Sequence, residues 1–344
     1  MAEVGGLSFK NVKRVNPQGV PELPRVIPLI DHRYGRASIL NEHAVALSLY
    51  KVVNMATGAL HVTTREALAR RFLIPEDATI ILSGVEQDGS IERWWEIANR
   101  SEILAGLASL GVEAITAPNY SVLNDVPRTD NLHAIKRILL TWTEMAAAGL
   151  PAALHVNART EHDYRRWGDL IIERSEIEML AFEFATGAGH GERINWHVEQ
   201  LCKLSERAGR PLTLIIRGGG RKADLLRHHF AHVTLIDTEA FARAIRRKRA
   251  VLTDSGRLKW VSYPTPIGAP IDDLVACNIA AVRLAHTLGQ RPAAPRLRVV
   301  TTARRTSDSD DQPVQLSFLT DLKQSDEAGS ITPNPQRMFA AAKA

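Results

Sequence analysis

Cysteine is nearly missing from this chain of 344 residues: Cys202 and Cys277 are the only two. They share no C-x-x-C spacing, which excludes a disulfide framework and a cysteine-built zinc site. No stretch approaches the ~20 consecutive apolar residues of a membrane helix, so no membrane partner is expected. The first residues carry neither a hydrophobic signal core nor a cleavage pattern, and this predicts a cytoplasmic protein. The histidines are scattered: His228 and His229 adjoin, while His133, His155 and His190 stand apart. Without H-x-H, and with His228 and His232 the one H-x-x-x-H pair, neither a metal nor another cofactor is expected. A G-x-G-x-x-G after the first apolar run is also lacking, which argues against a dinucleotide-binding open sheet.

What is present is a regular alternation. Apolar, strand-like runs occur at TIILSG (79–84), AITAP (114–118), AALHVNA (152–158), EMLAFEFATG (178–187), LTLIIRGGG (212–220) and HVTLIDT (232–238), with helix-period segments between them. Near-continuous apolar strands separated by helices indicate parallel pairing with the helices packed outside. The chain therefore reads as an α/β protein, a TIM-type (β/α)8-like barrel over 76–300. Six units are visible. Two further strands are sought around 258–262 and in the preface or 296–301. Residues 1–75 read as an N-terminal arm and helical preface: 38–57 as an amphipathic helix, and TTREALARRF as a second, capped from Thr63 with Glu66 three residues on. Residues 301–344 read as a disordered tail. Within the tail, Gln315–Leu319 (QLSFL) is similar to the short peptide by which bacterial replication and repair proteins hold the sliding clamp; the alternative is a segment packing back on the barrel.

Charge is unevenly distributed. Of 43 basic and 38 acidic residues, eight and three respectively fall within 221–250, so the net excess of +5 sits wholly in that segment. Arg221, Lys222, Arg243, Arg246, Arg247, Lys248 and Arg249 are its candidates for contact with a polyanion. A solvated helix face with a basic last turn would give the same run.

In a parallel barrel the C-terminal strand ends share one mouth. That rule selects Ser83 and Glu86, Asn119 and Tyr120, His155, Asn157 and Arg159, Glu183 and Thr186, Arg217 with Gly218, Gly219 and Gly220, and Asp237 with Glu239. Carboxylates crowded there would raise one another's pKa and divide acid, base and nucleophile roles; structural ion pairs with Arg159 or Arg217 are the other outcome. The three glycines would let backbone N–H groups approach an anion.

The stretch LIDTEAFARAIRRKRAVLTDSGRL (235–258) resembles the tRNA-guanine transglycosylase superfamily, especially its archaeal members and the bacterial and phage relatives that insert 7-deazaguanines into DNA. Asp237, Thr238, Phe241 and Thr253–Gly256 match in order. The resemblance implies a barrel enzyme in which Asp237 attacks the sugar C1′ as the old base leaves. It implies that Asn157 holds the incoming base, and that DNA or tRNA is the partner. The family's zinc ligands and its Asp-Ser-Gly-Gly motif are missing; APNYS occupies the latter's place. The second acid is then sought at Asp125 or Glu183, base contacts at Asn119, Tyr120, Arg217 and Gly218–Gly220, and a stacking surface at Trp94, Trp95, Tyr120 or Tyr263. A non-catalytic nucleic-acid-binding barrel and a phosphate-binding small-molecule enzyme are the alternatives.

Overall fold

The computed structural model describes residues 2–254 and 256–288. The strand sought at 296–301, the tail and Gln315–Leu319 lie outside them. Eight parallel strands make one sheet: β1 Val26–Pro28, β2 Ala44–Ser48, β3 Thr79–Ser83, β4 Ala114–Thr116, β5 Ala152–His155, β6 Met179–Glu183, β7 Thr213–Arg217 and β8 His232–Asp237. Their order is β1-β8-β7-β6-β5-β4-β3-β2. The two ends meet, because Ile30 N–H donates to Ala46 O at 2.8 Å and Leu29 N–H to Asp237 O at 2.8 Å. A (β/α) barrel with helices outside is thus the architecture.

Two of its strands come from the segment expected to be arm and preface, so the barrel begins at Val26 and not at 76. The helix expected over 38–57 is replaced by β2, a single helical turn (Leu49–Val52) and a two-residue ribbon pairing Val53–Asn54 with Ala59–Leu60. All five residues of β2 are buried. A strand covered on both faces shows no alternation, and a helical turn after it imitates a longer helical period.

The barrel interior is narrow. Ala44, Ala46, Ala114, Ala153 and Ala181 share it with Ile27, Leu29, Ile81, Met179, Ile215 and Ile236, a mix of small and branched side chains that fills a closed eight-stranded cylinder. Outside lie α1 Arg65–Phe72, α2 Asp88–Glu96, α3 Arg100–Ser109, α4 Arg128–Ala147, α5 Glu161–Glu173, α6 Arg193–Ala208, and the short α7 Ala223–Leu226 and α8 Ala240–Ile245. The cap of α1 is Thr64, one residue beyond the expected Thr63; its side chain accepts from Ala67 N–H at 3.1 Å.

The N-terminal arm opens with a 3-10 turn, Ala2–Val4, and turns again over Phe9–Val12 before running on without regular structure; buried or half-buried cations satisfy its carbonyls. Arg174 donates to the carbonyls of Val12 and Lys13, Lys136 to Ser8, and Arg166 to Leu7. Phe9 stacks on Trp167 with ring centroids 5.1 Å apart.

After β8 the expected strand near 258 exists but stays out of the barrel. It forms an antiparallel hairpin, β9 Lys248–Leu252 with β10 Leu258–Ser262, and α9 Asp272–Leu288 follows. One buried side chain joins these pieces: Asn278 Oδ1 accepts from Ala250 N–H at 2.8 Å, while its Nδ2 donates to Lys248 O at 2.9 Å and to Ala240 O at 3.2 Å. Asn278→Ala should therefore cost about 1–3 kcal/mol, because it strands buried backbone groups. Hydrogen exchange should show the Ala250 amide losing protection before the barrel strands do; equal protection in both proteins would remove this role from Asn278.

Candidate functional site

Side-chain alternation carries the inner core upward into a polar rim. Two residues beyond Ala46, Ile81, Ala114, Ala153, Ala181 and Ile215 stand Ser48, Ser83, Thr116, His155, Glu183 and Arg217, all at C-terminal strand ends. With period 2 these face the barrel axis. Arg217 Nη1 donates to Glu183 Oε2 at 3.0 Å, and Ala185 N–H donates to Oε1 at 2.6 Å. Burial raises the Glu183 carboxyl pKa, with Arg217 pulling it partly back. Burial, reinforced by the charge of Arg217, holds His155 down to about 3, so its imidazole is neutral at ordinary pH. Ser83 Oγ, His155 Nε2 and Arg217 Nε are buried without a hydrogen-bond partner among the described residues.

A small cavity of about 60 Å³ opens at this rim, with Asn119, His155, Asn157, Arg159, Glu183 and Thr186 among its walls. The start of α5 builds one of those walls. Thr160 and Asp163 form a reciprocal capping box, Asp163 Oδ2 also accepts from Arg159 N–H at 3.0 Å, and Trp167 Nε1 donates to Asn157 O at 2.9 Å. The turn bearing Asn157 and Arg159 is thereby fixed from both sides.

The larger space lies across the loop after β6. This cleft, about 1220 Å³, is bounded by Gly218–Gly220, Arg221 and Lys222 after β7, by Asp237–Glu239 after β8, and by Arg243, Arg257, Trp260 and His286 from the hairpin side. Asp237 lies on the outer side of β8 with Val233 and Leu235, opposite Ile236 of the inner core. Its carboxylate accepts from Glu239 N–H at 3.1 Å and Ala240 N–H at 2.9 Å, capping α8. Burial raises its pKa, and those two backbone donors oppose the rise. The residue is 9% exposed and has no ion-pair partner within the described residues. Two hydrogen bonds leave about half of the four lone-pair sites of a carboxylate open.

The expected site residues are thus divided. Asp237, Gly218–Gly220, Arg221, Lys222 and Arg243 share the cleft; Asn119, Asn157 and Glu183 share the rim cavity. Glu183 does not face Asp237: β7 lies between their strands, and its charge is taken up by Arg217. Arg217 is correspondingly a partner of Glu183 and lines neither space. Asp125 sits exposed on the loop before α4 and borders neither. Tyr120 is core, 1% exposed, with the Arg137 guanidinium 3.9 Å from its ring centre; Trp94 is fully buried. Trp95 is engaged by Arg100 and Arg137. Of the four stacking candidates, Tyr263 alone is an exposed ring.

The glycines answer to packing. Gly218 and Gly219 have φ of 72° and 66°, and a Cβ would stand 2.7 Å from Ala185 N at the first and 2.7 Å from Phe184 Cβ at the second. The basic run is not one helix face either. Arg243 lies on α8, Arg247 turns the chain at φ 51°, and Lys248 and Arg249 begin β9. Arg246, Arg247, Lys248 and Arg249 therefore leave the cleft, while Arg257 and His286, not singled out from the sequence, enter it. No family model matches the chain, and no curated protein matches it.

His155 predicts an acid weakness. Its folded pKa of about 3 lies below its ordinary 6.5, so its contribution to stability is complete above 6.5 and is lost as pH falls toward 3. Urea midpoints measured from pH 7.5 down to 4.5 should fall, and His155→Gln should flatten that fall. An identical slope in the variant would assign the acid sensitivity elsewhere.

Proposed function

We propose that this protein acts on nucleic acid at the cleft, exchanging or breaking a glycosidic bond with Asp237 as nucleophile. One observation carries the reading: the Asp237 carboxylate borders the same space as Arg221, Lys222 and Arg257, three cations with no carboxylate partner among the described residues. Unpaired guanidinium and ammonium groups around a cleft of this size suit a phosphate backbone, whose counter-ions they would displace. The carboxylate is desolvated and aimed by two backbone N–H groups, so little reorganisation precedes attack on a sugar carbon with oxocarbenium character. Such attack forms a C1′–O bond to Asp237 as the bond from C1′ to the base breaks. The departing base takes a proton, for which Glu239 is a carboxyl lining the same cleft, although it is paired with Arg243 at 2.8 Å. A base must leave its stack to reach C1′ chemistry of this kind, which favours single-stranded or locally opened substrate.

The decisive variant is Asp237→Asn, which removes the nucleophile while its single amide oxygen still accepts one of the two backbone N–H bonds that Oδ1 and Oδ2 now take separately. The protein is incubated with single-stranded DNA, duplex DNA and tRNA, denatured, and examined for a protein–nucleic-acid adduct. An adduct in the wild type and its loss in Asp237→Asn, with the variant still folded and its melting temperature lowered only by the one lost hydrogen bond, is the expected result. The acid limb of adduct formation should lie above the ordinary aspartate value of 3.8, the direction in which burial moves this group. Binding without an adduct in either protein would make the barrel a non-catalytic binding module.

Salt provides a second test. Replacing Arg221, Lys222 and Arg257 together by alanine should reduce the slope of log K against log salt by about 2 to 3, at ~0.7–0.9 per phosphate contact. An unchanged slope would move the phosphate contacts away from the cleft and favour a small phosphorylated substrate.

A further inference from the structure

The rim cavity contains a positive charge that the protein does not neutralise. Arg159 is half-buried on its wall. Its Nε donates to Val122 O, and no carboxylate lies within ion-pair distance among the described residues. Glu183, across the cavity, offers no compensation: one oxygen is held by Arg217 and the other by the Ala185 amide. The charge of Arg193, at the start of α6, adds to the positive field that Arg159 experiences.

The neutral walls are also directional. Asn157 Nδ2 donates to Asn119 Oδ1 at 3.0 Å and to Tyr120 O at 3.0 Å. Both of its protons are thereby used, leaving Asn119 Nδ2 as a donor and Asn157 Oδ1 as an acceptor without a hydrogen-bond partner among the described residues. His155, 2% exposed, also lines the cavity, and its Nε2 is buried without a partner among the described residues. Leaving a buried polar atom unpaired costs free energy that a bound group would recover.

We infer that the rim cavity is a second binding site, taking the carboxylate of a small monoanionic molecule, with Arg159 as its principal contact and Asn119 and His155 as orienting groups. Three features select a carboxylate. Arg159 is the one guanidinium among the described residues lining the cavity, so contact there pairs one negative charge, and the second charge of a phosphate would face Glu183. The planar fork of a guanidinium matches the planar carboxylate in two parallel hydrogen bonds. The cavity, about 60 Å³, admits the head of a ligand and leaves the remainder at the barrel mouth. This site lies on the other side of the loop after β6 from the cleft, and the inference does not rest on the chemistry proposed there.

Side-chain amide resonances report it directly. The full-length protein, selectively 15N-labelled at asparagine, is titrated with acetate, lactate and benzoate, and separately with inorganic phosphate. The Asn119 and Asn157 NH2 signals should move, with saturation, for at least one carboxylate and not for phosphate. Arg159→Gln should weaken the response at least tenfold while the other asparagine signals stay in place. If Arg159→Gln disturbs the fold, Asn119→Asp gives an independent readout, because a carboxylate built beside Arg159 should raise the melting temperature and abolish carboxylate binding. The inference is overturned if no carboxylate moves these signals at tens of millimolar, if phosphate moves them as strongly, or if the response survives both substitutions.

Discussion

Closure of the barrel by a strand of only three residues is the constraint on which both cavities depend. β1 has three residues, yet its backbone and the two residues after it bridge β8 and β2 through the bonds to Asp237 O and Ala46 O. Were that seam open, β8 would be an edge strand with Asp237 at a solvated margin. Closed, it turns the C-terminal ends of all eight strands toward one face, and polar residues far apart in sequence become neighbours. The arm that leads into β1 is tied to α4 and α5, where Lys136, Arg166 and Arg174 meet its carbonyls.

The two cavities illustrate how one face can divide its chemistry. The loop after β6 is a partition: Ala185 and Gly189 line the cleft, Thr186 and Ala188 the rim. Its close approach to Gly218 and Gly219 explains why the exit from β7 is glycine-rich, since any side chain there would meet Phe184 or Ala185. Asp237 likewise serves a structural purpose as the cap of α8. A cap and a nucleophile are compatible demands on a carboxylate because the backbone donors occupy only part of its lone-pair capacity and fix its direction.

Much of the fold was legible in the sequence because six of the strands fall within apolar runs of five or more residues set between helical periods. β1 and β2 were not, for different reasons. Val26–Pro28 is too short to show a period and contains proline, and AVALS is buried on both faces and runs straight into a helical turn. The strand-end rule located Asn119, Asn157, Glu183 and Asp237 near the mouth but could not say which way each turned. That depends on parity along each strand, and Asp237 falls on the opposite parity from Glu183. The basic run was visible as charge, but Arg247 in a left-handed conformation splits it across helix, turn and strand. Asn278 gave no signal at all: a lone amide in an apolar helix is interpretable only once the backbone groups it meets are known.

The seam has a consequence for biosynthesis. Val26 pairs with Leu235 and Pro28 with Asp237, so strands separated by more than two hundred residues must meet before the cylinder exists. While the ribosome is still making the intervening units, β1 has no β8 to join, and both margins of the growing sheet offer unpaired backbone to any neighbouring chain. The cationic clamps on the arm bind helices made well before β8, and so can park the N-terminus close to its final position during that interval. Weakening those clamps would then show first as poor yield and aggregation of newly made protein, ahead of any change in the purified, finished molecule.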